Sequence, residues 1–191
     1  MDEEQLLQQS KEGHLGAFNA LVEFHQVPVY NLAHRMLNDR GAAEDVTQDT
    51  FVSAFRNLNS FRSGNFRAWL MRIAANACRD YLRSARVRRN VSLDNLEAGQ
   101  EFVLPAGSES LEASAMRREL SEGIQKGLDL LASDQRLAII LVDIQGLSYD
   151  ETAQIVRAPI GTVKSRLSRA RMAMRDYLLS NRELLPGDVR L

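Results

Sequence analysis

From Arg157 to Arg175 every charged side chain is positive: Arg157, Lys164, Arg166, Arg169, Arg171 and Arg175. Thr162, Ser165 and Ser168 add short hydroxyls among them. Guanidinium and ammonium donors beside hydroxyls are the groups that hold phosphates and reach base edges. The acidic i,i+4 partners of an ordinary solvent-facing helix are missing from this run. A solvated basic face on a bundle helix would use the same residue types, so the elements that carry them have to decide.

Those elements are two short helices and a turn. Ser148 and Glu151 form an S-x-x-E capping box, which starts a helix by satisfying its orphan amides. Pro159 lacks an N–H and pushes Ala158 towards extended angles, so the helix ends near Val156. Proline suits the first position of a new helix, and a second one is expected to begin there. In it Val163, Leu167, Ala170 and Met174 recur as one apolar stripe. Thr162, Ser165, Arg166 and Arg169 line another face, with Lys164, Ser168, Arg171 and Arg175 on its flank. A helix buried on one side and basic on the other, after a capped helix and a short turn, reads as a helix-turn-helix for the major groove of DNA.

A second basic block lies upstream. Between Arg62 and Arg89 there are eight arginines against one acid, Asp80. On the amphipathic pattern from Phe66, Leu70, Ile73, Ala74, Ala77 and Tyr81 form one face, and Arg72, Asn76, Arg79 and Arg83 form another. Phe61, Phe66 and Trp69 stand at its start. Basic residues that follow a phosphate backbone, beside rings on which bases stack, suit single-stranded DNA. Core packing is the competing role for Phe66 and Trp69, whereas Phe61 and the loop Asn59 to Asn65 are expected to be more exposed. A third row, Asp45, Gln48, Asp49 and Val52, recurs on the helix expected from Ala42. It offers carboxylate and amide acceptors to arginines on another protein, or is a plain solvent face.

Net charge over the 191 residues is only −1, because an acidic strip cancels the basic blocks. From Val91 to Met116 there are five acids and no base. Each block still keeps its local field. That strip, with Pro105, two glycines and four serines, reads as a flexible linker. Helical periodicity dominates elsewhere, giving an all-α chain: a head over 1–90, a linker over 91–114, a second head over 115–180, and a tail over 181–191. In the first head one helix should run to Pro28 and another open there, with a turn over Asn38 to Gly41. In the second, a helix from about Ala115 should be followed by one capped by Ser133 and ended by Gly146. The lone Cys78 excludes an internal disulfide framework. His14, His25 and His34 lack metal-ligand spacing, and no metal or cofactor is expected. No P-loop or nucleophile–base pattern suggests an enzyme. Without a secretory signal or a long apolar run, the chain is expected to be cytoplasmic, with no membrane insertion.

AEDVTQDTF, then F-R-A-W-L-x-x-I-A-x-N-x-x-x-D-x-x-R, then LSYDETAQIV and GTVKSRLSRAR resemble the extracytoplasmic-function (group IV) sigma factors of bacterial RNA polymerase. The likeness covers nearly the whole chain, in order. It implies sigma regions 2 and 4, without a region 1.1 or a region 3 domain. It implies that Asp45, Gln48, Asp49 and Val52 dock on core RNA polymerase. Asn59, Phe61, Arg62, Asn65, Arg72, Asn76, Arg79 and Arg83 would open and read the −10 promoter element, and Arg157, Thr162, Lys164, Ser165, Arg166, Arg169 and Arg171 would read the −35 element. Capturing an everted base must offset a few kcal/mol of lost stacking. About 24 linker residues at roughly 3.3 Å each reach some 80 Å, ample for the gap between the elements. The resemblance also implies promoter DNA as a partner, an anti-sigma factor as a further one, and a role in stress or envelope response. One departure stands out: the turn position commonly glycine in the family is Arg157. Either the turn differs, or Arg157 accepts a left-handed conformation, at roughly 1 kcal/mol or more, to reach a phosphate. A conventional regulator with an N-terminal sensor or dimerisation domain remains the competing class.

Overall fold

The computed structural model describes the backbone of residues 2–91 and 111–181, with side chains over 2–85 and 118–181. Among the described residues there are α-helices and no strand, so the chain is all-α as expected. The helices are α1 (Glu3–Lys11), α2 (Leu15–Leu37), α3 (Arg40–Arg56), α4 (Phe66–Val91), α5 (Leu111–Asp129), α6 (Ser133–Ile139), α7 (Tyr149–Val156) and α8 (Ile160–Ser180). A 3-10 turn spans Leu58–Ser60 and a π turn spans Ile140–Ile144.

In the N-terminal head α2 lies at the centre, against α1, α3 and α4. Its Leu21, Leu32 and Met36 meet Leu70 and Met71 of α4 in a fully buried core. The expected break at Pro28 does not occur, and α2 runs through it. An interior proline frees the carbonyl four residues earlier, here that of Phe24, an exposed residue. Its side chain is not part of the core. The turn before α3 is shorter than expected. Asn38 adopts a left-handed conformation, Asp39 caps the helix by accepting from the Ala42 amide at 2.7 Å, and Arg40 and Gly41 are already helical. On α4 the buried face centres on Leu70, Met71, Ala74, Ala75 and Cys78, with Ala77 and Tyr81 at its edge.

The C-terminal head packs α8 against α5, α6 and α7. Val163, Leu167, Ala170 and Met174, the expected stripe, are all buried. A Cβ on Gly127 would come within 2.8 Å of Tyr177 and 2.9 Å of Met174, so only glycine lets α5 approach α8 this closely. Gly146, at φ +70, ends the π turn. Ser133 is the first helical residue of α6 and not its cap; Ala132 holds the cap position without a side-chain bond. The capping box of α7 forms, with the Ser148 amide donating to Glu151 at 2.9 Å and the Glu151 amide to Ser148 at 3.2 Å. Pro159 sits one position earlier than expected, at the cap of α8. Arg157 takes φ 52, ψ 50, the left-handed conformation that the second alternative requires.

Val91 is the last residue of α4, and α5 begins at Leu111 rather than near Ala115. The rest of the expected linker, 92–110, and the tail over 182–191 lie outside the described residues. The heads touch: α4 packs on α7, and α2 meets α6 and the π turn. Arg35 of α2 donates to the Ser121 hydroxyl at 2.9 Å and to Gln125 at 3.2 Å, while Arg136 donates to the Met36 carbonyl at 3.0 Å.

Candidate nucleic-acid interface

On α8 the apolar stripe turns inward and carries the basic face to the surface. Lys164, Arg169 and Arg171 are exposed, and Thr162, Ser165 and Arg166 are half-buried. Each is held differently. Arg171 donates to both oxygens of Asp143, at 2.9 and 2.6 Å, and this bond holds its pKa above the ordinary guanidinium value. The π turn carries Asp143, which places its carboxylate against α8. Such a bidentate pair fixes the guanidinium plane, so Arg171 braces α8 on its own head. The Ser165 hydroxyl donates to the Thr162 carbonyl at 2.9 Å. Lys164 lies 6.0 Å from the Tyr149 ring centre, a cation–π contact that leaves its ammonium at the surface. Arg166 pairs with Asp134 at 2.5 Å, and Arg169 is exposed.

The second basic face is on α4 and the loop before it. Arg72 and Arg83 are exposed, Asn76 and Arg79 half-buried. Arg83 pairs with Asp80 at 3.3 Å. Arg79 lies 3.9 Å from Asp134 of the other head, so one carboxylate faces guanidinium groups from both heads. Burial lowers the pKa of Arg79, Asp134 opposes that, and Arg166 and Arg157 lower it further. Asn65 caps α4 by accepting from the Ala68 amide at 3.1 Å, and its amide donates to Glu151 at 2.5 Å. That carboxylate, bonded first by the Ser148 amide, stays ionised below the usual range. Arg67 donates to Gln145 at 2.8 Å, and Gln145 donates to the Pro28 carbonyl at 3.1 Å. Sequence reasoning missed Asp134, Gln145 and Arg35, because no periodic pattern marks a residue whose partner is on the other head.

Phe61 departs from expectation. It is 7% exposed, with its ring centre 5.4 Å from Phe66 and 5.5 Å from Trp69. Lys11 covers it, its ammonium donating to the Phe61 carbonyl at 2.7 Å. Three rings in mutual contact bury more apolar surface than a lone exposed ring, so Phe61 closes the core beneath the loop and is not presented to a base. Asn59 and Arg62 on either side are exposed.

On α3 the row Asp45, Gln48, Asp49 and Val52 is exposed along one side. Beside it α2 and α3 leave an open apolar groove of about 930 Å³, bordered by Leu15, Val22, Val27, Gln48, Val52 and Phe55. Phe55 is half exposed on its wall and meets Phe18 edge-on at 4.9 Å. The groove lies beside the acceptor row, not on the arginine face of α4. Cys78 is buried, which pushes its thiol up to about 12 and leaves it inert at neutral pH. Among the described residues no cluster of His, Cys, Asp or Glu could hold a metal, and no helix is long and apolar enough to cross a membrane.

Comparison with known proteins agrees on both heads. The family model for Sigma-70 region 2 matches residues 21–88, and that for Sigma-70, region 4 matches residues 121–174. The chain is 36% identical over 162 residues to the ECF RNA polymerase sigma factor SigE of Mycolicibacterium smegmatis, covering 85% of this chain and 62% of that protein. It is 38% identical over 177 residues to the ECF RNA polymerase sigma-E factor of Escherichia coli, covering 88% of this chain and 90% of that one. Among solved structures it is similar to the sigma factor RpoE in complex with the anti-sigma factor NepR from Bartonella quintana, with a TM-score of 0.69 and 31% identity over 84% of this chain and 96% of that one. A superposition that spans so much of both chains includes both heads.

Proposed function

This chain belongs to the extracytoplasmic-function sigma factors, which start transcription and catalyse nothing themselves, and we propose that its heads divide promoter reading between them. The head built from α1 to α4 acts as region 2. It docks on core RNA polymerase through Asp45, Gln48, Asp49 and Val52, and the apolar groove beside them extends that surface. Asn59, Arg62, Asn65, Arg72, Asn76, Arg79 and Arg83 take the unstacked strand of the −10 element, while Phe61 supports their loop from beneath. The head built from α5 to α8 acts as region 4, with Thr162, Lys164, Ser165, Arg166 and Arg169 facing the −35 duplex. Arg157 lies near the phosphates and Arg171 braces the helix. The residues between the heads form the linker. The protein works in the cytoplasm, in a stress or envelope response, and an anti-sigma factor is a further partner.

The observation that carries this reading is the pairing of two arginine faces on separate helical heads with an acceptor row on α3. A sensor domain would give the first head a ligand cavity or a dimer seam in place of its arginine face. Arg166→Ala or Arg169→Ala should weaken −35 recognition by about 1–3 kcal/mol, the worth of a good base contact. A reporter promoter transcribed equally well by both variants would overturn the assignment. Asp45→Ala combined with Gln48→Ala should loosen capture of core polymerase, and undiminished pull-down would remove that surface from the argument.

A further inference from the structure

We propose that Lys11 is a positioning residue for the −10 loop: from the end of α1 it fixes the peptide after Phe61 and so aims Arg62 and the residues that follow. This role rests on the promoter-reading function above and extends it to a residue on neither the loop nor α4.

The segment from Arg62 to Asn65 buries none of its residues, and Gly64 within it takes φ +106. Its course is therefore set at its two ends. At the far end Asn65 caps α4 through the Ala68 amide. At the near end the 3-10 turn closes with the Phe61 amide donating to the Leu58 carbonyl at 3.0 Å. The Phe61 carbonyl accepts from the Lys11 ammonium at 2.7 Å, across 50 positions of chain. A carbonyl and the amide that follows it share one plane. Fixing that oxygen therefore fixes how the chain leaves Phe61 towards Arg62. The bond is charge-assisted, and such bonds are stronger than neutral ones. The same ammonium lies 5.6 Å from the centre of the Phe61 ring, so one group holds both main chain and ring.

Lys11 can aim the loop only if α1 is itself fixed, and α1 is fixed on the same rings. Leu6 and Leu7 are buried in the core. At the first residue of α1 the Glu3 carboxylate lies 2.6 Å from Nε2 of His25, whose ring meets Phe66 edge-on at 5.5 Å. At the last residue Lys11 holds Phe61, which meets the same Phe66 at 5.4 Å. The helix is a strap of nine residues fastened at both ends to rings that join at Phe66. A lysine that served only the helix dipole would need no partner outside α1. This one is half-buried and bonded to distant backbone. Ordering a loose loop on an unpaired strand costs conformational entropy, which a loop already shaped does not lose again. A loose loop also adjusts to a wrong base, so selectivity suffers most when the anchor is lost.

The test uses the full chain assembled with core polymerase. Two templates are transcribed: a promoter that the wild type reads, and the same promoter with one −10 base replaced. Lys11→Met removes the donor and keeps an apolar stem, whereas Lys11→Arg keeps a charged donor. Lys11→Met should cut the preference for the correct base about fivefold, the effect of losing one hydrogen bond of ordinary strength. Lys11→Arg should restore most of it. The ratio of the two rates is decisive, because a misfolded fraction lowers both rates together and leaves their ratio unchanged. Amide exchange in the free chain should quicken over Arg62 to Asn65 in Lys11→Met. Arg62→Ala tests the promoter-reading function itself and should flatten the same preference. If Arg62→Ala flattens it and Lys11→Met does not, Lys11 serves stability alone and its positioning role is overturned by itself. Unchanged exchange over the loop would overturn that role too. If neither variant alters the preference, the −10 assignment of the loop falls and the role of Lys11 with it.

Discussion

Both heads set arginines on one side of a helix over an apolar core, yet they hold those arginines in different ways. The C-terminal head supplies its own counter-ions: Asp134 meets Arg166, and Asp143 grips Arg171 in a bidentate pair. Among the described residues the basic face of the N-terminal head pairs locally through Arg83 with Asp80, and it draws partners for Asn65, Arg67 and Arg79 from the other head. A reader of regular duplex gains from a rigid helix whose side chains are already aimed. A reader of unstacked strand has to rearrange around bases that do not hold a fixed geometry, and borrowed partners leave with the head that lends them.

The sharpest way to break this contrast is to unfold the lender. Leu167 is fully buried in the C-terminal core, and Leu167→Ala should cost that head about 2–5 kcal/mol. Denaturant unfolding should then show the C-terminal head melting first. Amide exchange should quicken around Asn65 to Arg79, although that segment is distant in sequence from the change. Unaltered exchange there would mean that the N-terminal head orders its own face.

A smaller effect comes from Glu151, which belongs to both sides of the comparison by closing the α7 capping box and holding Asn65. Glu151→Gln should cost about 1 kcal/mol near neutral pH, the usual worth of a helix cap. The folded pKa of Glu151 is lowered, chiefly by the Ser148 amide. Its stabilisation is therefore complete above the ordinary carboxylate value and fades as pH falls through the lower folded one. Thermal melts of variant and wild type should converge in acid and diverge above about pH 5. A constant gap at every pH would show that the carboxylate charge contributes nothing.

The smallest effect should be local to the C-terminal head. Arg157 holds φ 52, ψ 50, where glycine is at ease and other residues are strained. Arg157→Gly should stabilise that head by about 0.5–1 kcal/mol while removing a positive charge from the DNA side. Calorimetry should show a higher melting temperature for the C-terminal head alone. A lower one would mean that Arg157 gains more from its surroundings than the backbone loses.

The features legible in the sequence were those set within one or two helical turns. The Ser148–Glu151 box, the stripe Val163, Leu167, Ala170 and Met174, the exposed row on α3 and the basic faces of α4 and α8 all recur at helical spacing or depend on neighbouring amides. Those forces act between residues a few positions apart, so the pattern is written locally. The tertiary structure alone decided the rest. Phe61 is buried because α1 and α4 close over it, and α2 continues through Pro28 with the exposed Phe24 one turn before it. Asp134 is shared because α6 sets its carboxylate within reach of Arg79 on α4 and Arg166 on α8, and Arg136 reaches the Met36 carbonyl across 100 positions of chain. Contacts at such separation leave no period in the sequence. Which acid answers which arginine is settled only when the heads are packed.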